Sequence, residues 1–76
     1  MEISYDPDAD AVYIRLTDEQ LMPGRDSVSL ATPVGVEADV VMDWREGKIV
    51  GLEVLDAAVV LHADLLATAV RPGESP

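Results

Sequence analysis

Seventy-six residues make a single domain with a small core, since a chain of this length buries only about 60–65% of the surface its unfolded form exposes. Five basic against fifteen acidic residues leave a net charge of −10, which disfavours nucleic acid and an anionic membrane face as partners. The lack of Cys removes disulfides, thiolate metal ligands and thiol nucleophiles together, and one Trp, two Tyr and no Phe leave the core to aliphatic side chains.

The first residues, Met1 to Asp6, carry neither the basic segment nor the apolar stretch of a secretion signal. No apolar run approaches the roughly 20 residues of a membrane helix. The expected compartment is therefore the cytoplasm. Glu2 to Tyr5 alternates polar and apolar until Asp6-Pro7-Asp8-Ala9-Asp10 interrupts it with a fixed φ at Pro7 and turn-forming Asp side chains. From Ala11 to Thr17 the alternation resumes, with Val12, Ile14 and Leu16 on one face and Tyr13, Arg15 and Thr17 on the other. These two runs predict a hairpin.

Asp18 to Asp26, with Pro23-Gly24, reads as a connection. Val28 and Leu30 alternate with Ser27 and Ser29 as a short strand, which Pro33 and Gly35 break. A longer strand is expected next, with Val36, Ala38, Val40 and Met42 inward and Glu37, Asp39, Val41 and Asp43 outward. Asp43 to Lys48 forms its turn, with Gly47 suited to a left-handed position. The return strand, Ile49 to Leu55, places Val50, Leu52 and Val54 opposite Gly51 and Glu53. A Gly inside a strand marks the close approach of another group, here the ring of Tyr5 or Tyr13.

Asp56 is placed to cap a helix, unless the strand runs on through Val59 and Val60. Beyond it, Leu61, Leu65, Leu66, Ala69 and Val70 share a broad apolar arc at helical period. The resulting expectation is an α+β domain over residues 1–70. Its antiparallel β-sheet is a meander of four to five strands with two hairpins, and one C-terminal helix packs on it. Residues 71–76 form a tail.

Two stretches carry a resemblance. Tyr5 to Leu16, YDPDADAVYIRL, resembles the opening of the YuzE-like bacterial family of small domains, and Gly47 to Ala57, GKIVGLEVLDA, is similar to that family's strand–Gly turn–strand segment. The resemblance covers about half the chain. It implies a compact bacterial, cytoplasmic α+β domain with an antiparallel sheet, and it implies no activity.

Candidate chemistry is sparse. Asp6, Asp8 and Asp10 have the spacing that opens a calcium loop, but Ala11 and Thr17 stand where that loop needs Gly and Glu, so loop-shaping bonds to backbone N–H groups are the expected role. A polar patch of Tyr5, Asp6, Asp10, Tyr13, Arg15 and Glu53 is the one place for a pocket. Asp10 and Glu53 would be its paired carboxylates, and burial would raise the Glu53 pKa. The plainer reading pairs Glu53 with Arg15 or leaves it on the sheet's open face. His62 is the only histidine and lacks metal-ligating company, and its spacing from Asp64 makes no dyad on a helix. No catalytic residue, metal ligand or cofactor is therefore assigned. With Leu61, Leu65, Leu66 and Ala69, His62 fits a subunit contact. The expected function is a non-enzymatic protein-binding or self-assembling module, a homo-oligomer or the acidic partner of a basic protein. A small ligand-binding domain or enzyme near Tyr13 and Glu53 is the alternative.

Overall fold

A computed structural model describes residues 1–18 and 26–71. Five strands form one antiparallel sheet: β1 Glu2–Asp6, β2 Ala11–Arg15, β3 Asp26–Leu30, β4 Val40–Arg45 and β5 Lys48–Leu55. Two short helices follow, α1 Ala57–Val60 and α2 Ala63–Thr68. Most of the Asp18–Asp26 connection and of the 71–76 tail lies outside the described residues.

Both predicted hairpins form. Tyr5 pairs with Val12 and Ile3 with Ile14 in the first, and Arg45 pairs with Lys48 in the second. The second turn is tighter than expected. Glu46 (φ 52°) and Gly47 (φ 78°) alone make it, with the two positive φ angles of a type I′ hairpin, so Asp43, Trp44 and Arg45 belong to β4. Between Asp43 and Trp44 the register shifts by one: Asp43 faces Gly51 and Trp44 faces Ile49, leaving Val50 as the bulged residue of β5.

The strand order is β1-β2-β5-β4-β3, which is not a plain meander. β3, β4 and β5 follow one another, and the first hairpin docks its β2 on β5, with Val12 opposite Val54. β2 thereby lies between β1 and β5, and Val12 is fully buried. β4 is also shorter than its pattern suggests. The Val36 N–H bonds the Pro33 carbonyl at 3.1 Å in a turn with Gly35 at φ 88°, and the Val36 carbonyl accepts the Thr32 hydroxyl at 3.0 Å. Those groups are spent, and the ladder starts at Val40.

One face of the sheet carries the core. Val12, Val54 and Ala57 are buried, with Ile3, Tyr5, Ile14, Val40, Val60, Leu61 and Leu66 packed against them. Each such aliphatic side chain contributes about 1.5–3 kcal/mol when fully buried. The expected single helix is two. Leu61 (φ −103°, ψ 146°) and His62 (φ −65°, ψ 147°) are extended and separate α1 from α2. Helices of one or two turns are unstable alone and depend on this packing. Asp56 does not cap α1 with its side chain; it takes a left-handed conformation, φ 55°. Asp10 of the β1–β2 loop supplies the acceptors, its carbonyl to Ala57 N–H at 3.0 Å and its carboxylate Oδ1 to Ala58 N–H at 3.0 Å.

After α2 the chain meets the sheet again. The Tyr5 N–H bonds the Val70 carbonyl at 2.8 Å and the Val70 N–H bonds the Ile3 carbonyl at 2.9 Å, a parallel bridge along the outer side of β1. The opposite margin differs. All five residues of β3 are exposed, and its outer side has no strand partner among the described residues.

Candidate functional site

The register separates the polar residues into two groups on opposite faces. On the helix-covered face the Tyr5 hydroxyl donates to Asp10 Oδ1 at 2.9 Å. That hydrogen bond, then desolvation, then the negative charge of Asp10 raise the Tyr5 pKa above its ordinary 10.0, while Arg71 acts in the other direction. The Arg71 guanidinium lies 5.3 Å from the Tyr5 ring centroid. Asp6 Oδ1 accepts the Asp8 N–H at 3.0 Å. The Asp carboxylates of this loop thus hold backbone and phenol, and among the described residues no three His, Cys, Asp or Glu side chains are grouped to hold a metal.

The open face carries Ser4, Tyr13, Glu53, Val41 and Ser29 in one row across the strands, with Arg15, Gly51, Asp43 and Ser27 in the next. Tyr13 reaches diagonally across β5. Its ring lies over Gly51 and its hydroxyl donates to Asp43 Oδ2 at 2.9 Å. Ser27 donates to Asp43 Oδ1 at 2.7 Å. Asp43 is only 5% exposed, and the two hydroxyls offset the cost of burying its carboxylate. This cluster ties β2, β3 and β4 together over β5.

Asp10 and Glu53 are not paired carboxylates, because Asp10 bonds toward the helices and Glu53 faces Tyr13 on the open side. Glu53 is half-buried there, diagonal to Arg15, whose Nε donates to the Thr17 carbonyl at 3.1 Å. The patch of Tyr5, Asp6, Asp10, Tyr13, Arg15 and Glu53 therefore does not converge on one pocket. In the C-terminal segment, Leu61 and Leu66 pack on the core, Ala69 is buried, Leu65 is half-buried and His62 is exposed. Most of that apolar arc is occupied by the chain's own sheet.

Sequence reasoning missed two features. Asp43 is buried beneath Tyr13 and bonded by the exposed Ser27, and the signal for it was an outward Asp in register with a strand Gly. A cleft of about 290 Å³ also opens at the far end of the sheet, lined by Leu16, Thr17, Arg45, Glu46, Lys48, Ile49 and Val50.

A family model described as a protein of unknown function (DUF2283) matches residues 2–57, well over half of the chain. The chain belongs to that family. The DUF2283 span runs from β1 to the first residue of α1 and contains both polar clusters and the whole of the cleft. Ala58 to Arg71, with the rest of α1, α2 and the bridge to β1, follow it. No curated protein and no solved structure matches the chain. No helix among the described residues is long and apolar enough to cross a membrane.

Proposed function

We propose that this DUF2283 domain is a self-associating protein-binding module whose contact surface is the outer side of β3. The observation that carries this reading is a wholly exposed margin strand, Asp26–Leu30, with none of the Lys, Pro or bulge features that usually blunt such strands. Val28 and Leu30 pair with Met42 and Val40, so they continue the core-side face of the sheet beyond the helices, and they stay 50% and 38% exposed. A small core of aliphatic residues gains stability from such a contact.

A second copy fits this strand by its own pattern. Antiparallel pairing centred on Val28 sets Val28 against Val28, Ser27 against Ser29 and Asp26 against Leu30. No like charges stand opposite, and the contact is isologous. The remaining surface works against association. Two bodies of charge −10 at about 20 Å repel by about 20 kcal/mol in unscreened water and by about 2 kcal/mol at physiological salt. Self-pairing therefore strengthens as salt rises, whereas a basic partner would bind more weakly. The resemblance of residues 5–16 and 47–57 to the YuzE-like family supports a bacterial cytoplasm as its setting.

Sedimentation equilibrium at about 50 and about 500 mM NaCl tests the reading. The expected result is a monomer–dimer equilibrium shifted to dimer at high salt and abolished by Val28→Lys, which sets two cations opposite each other. A monomer under both conditions, or association that weakens with salt, overturns it.

A further inference from the structure

The cleft at the Arg45–Lys48 end of the sheet lies between the end of β2 and the β4–β5 hairpin, away from the outer side of β3. Its apolar lining is Val50, which is buried, with Leu16 and Ile49, each 40% exposed. Its rim holds Arg45 and Lys48, which the register places directly opposite each other beside a two-residue turn. Like charges in that position repel and destabilise a hairpin. Among the described residues neither forms an ion pair. Arg15 ends β2 at the same end of the sheet but faces Glu2 across the ladder and does not line the cleft, so the cationic pair there is Arg45 and Lys48. The Asp-rich β1–β2 loop and Asp56 lie at the other end.

We infer that this cleft binds a small organic anion, its carboxylate or phosphate head between Arg45 and Lys48 and a short apolar tail against Leu16 and Ile49. The volume of about 290 Å³ is at the lower limit of ligand pockets, which selects a compact ligand over a nucleotide or a peptide. An anion at the rim removes the Arg45–Lys48 repulsion, so binding gains from an unfavourable feature of the empty hairpin. Glu46 also lines the cleft and opposes the anion, which sets the affinity low. This inference stands apart from pairing through β3, because no residue of β3 lines the cleft.

The test is a ¹⁵N–¹H NMR titration of the whole chain with butyrate and, separately, with inorganic phosphate, chloride being exchanged to hold ionic strength constant. Saturable shifts confined to Thr17 and the Glu46–Val50 amides are expected, and the probe that saturates first identifies the head group. Lys48→Glu replaces the like-charged pair with an opposite one, so the fold is retained while binding weakens by at least about fivefold. Glu46→Gln is expected to tighten it. Arg45→Gln provides a second loss-of-binding variant that does not depend on the behaviour of Lys48→Glu. Shifts that stay linear and spread over the surface with both probes overturn the site. So does a response that survives in both Lys48→Glu and Arg45→Gln.

Discussion

The Asp10 carboxylate accepts the backbone N–H of Ala58 from 48 positions away in the chain. The same oxygen receives the Tyr5 hydroxyl, and the Asp10 carbonyl receives Ala57 N–H. One loop residue therefore supplies the helix start with the acceptors that a local cap would normally provide, and joins β1, the β1–β2 loop and α1 in one network.

Because Asp10 sits at φ 50°, a conformation that Asn and Gly tolerate, its substitutions separate backbone from side-chain effects. Asp10→Asn keeps an acceptor and is expected to cost under about 1 kcal/mol. Asp10→Gly loses both side-chain bonds but relieves the backbone, for about 1–2 kcal/mol. Asp10→Ala loses both and adds strain, for about 2–4 kcal/mol. Urea denaturation of the three variants should give that order, and equal costs for Asn and Ala would show that the carboxylate bonds are idle.

Alkaline pH should loosen the same network. The Tyr5 pKa is raised in the folded chain, so at high pH the unfolded chain releases its phenolic proton first. The contribution is fully present below the ordinary tyrosine pKa of about 10 and is lost as pH rises through the folded value. Stability followed from pH 8 upward should fall above about 10 in the native chain, with that component absent in Tyr5→Phe. Parallel curves for the two chains would dissociate Tyr5 from alkaline unfolding.

A methyl group at position 51 would meet the Tyr13 ring and hydroxyl, with Cε2 at 2.9 Å. The ring end can swing away only by leaving Asp43. Gly51→Ala is accordingly expected to destabilise by about 1–3 kcal/mol despite the better strand propensity of Ala. Tyr13→Phe keeps the ring but removes the hydroxyl, for about 1.5–3 kcal/mol. The two costs should be less than additive in the double variant, since each breaks the same bond. Strict additivity, measured by denaturant melts, would place the Gly51 effect elsewhere.

The second hairpin should be improvable. Glu46 holds φ 52° at the first position of a turn that favours Asn-Gly, so Glu46→Asn should raise stability by about 0.5–1 kcal/mol. Gly47 has φ 78° with nothing within 4 Å of an added Cβ, so Gly47→Ala should cost about 1–2 kcal/mol from the backbone alone. Thermal melts of both variants decide this, and an unchanged Tm in Glu46→Asn would argue against the positive φ as the source of strain.

Alternation in Ala11–Leu16 and Ile49–Leu55 made the hairpins and the core-facing residues legible, and Gly51 correctly marked a covering aromatic ring. Neighbour order was not legible, because a period of two says which face a residue occupies and nothing about which strand lies beside it. The charged run Asp43–Lys48 looked like one loop because charge was read as exposure, yet Asp43 is held inside by two hydroxyls. The break at Leu61–His62 was hidden for a related reason. Leu61 and Leu66 reach the core from both sides of it, and periodicity counts faces without registering two extended residues. The cleft depends on a hairpin end meeting a strand end 30 residues away, which no local pattern encodes.

Val70 occupies the outer side of β1, the first strand of the chain. One margin of the sheet is thus partly covered by the molecule itself, while the outer side of β3 has no strand partner among the described residues. An assembly built by the proposed β3 pairing would therefore favour two chains over an extended fibre, because Val70 occupies the middle of the β1 margin. Under the proposed pairing through β3, removing Val70 would open a second margin of the sheet to added strands.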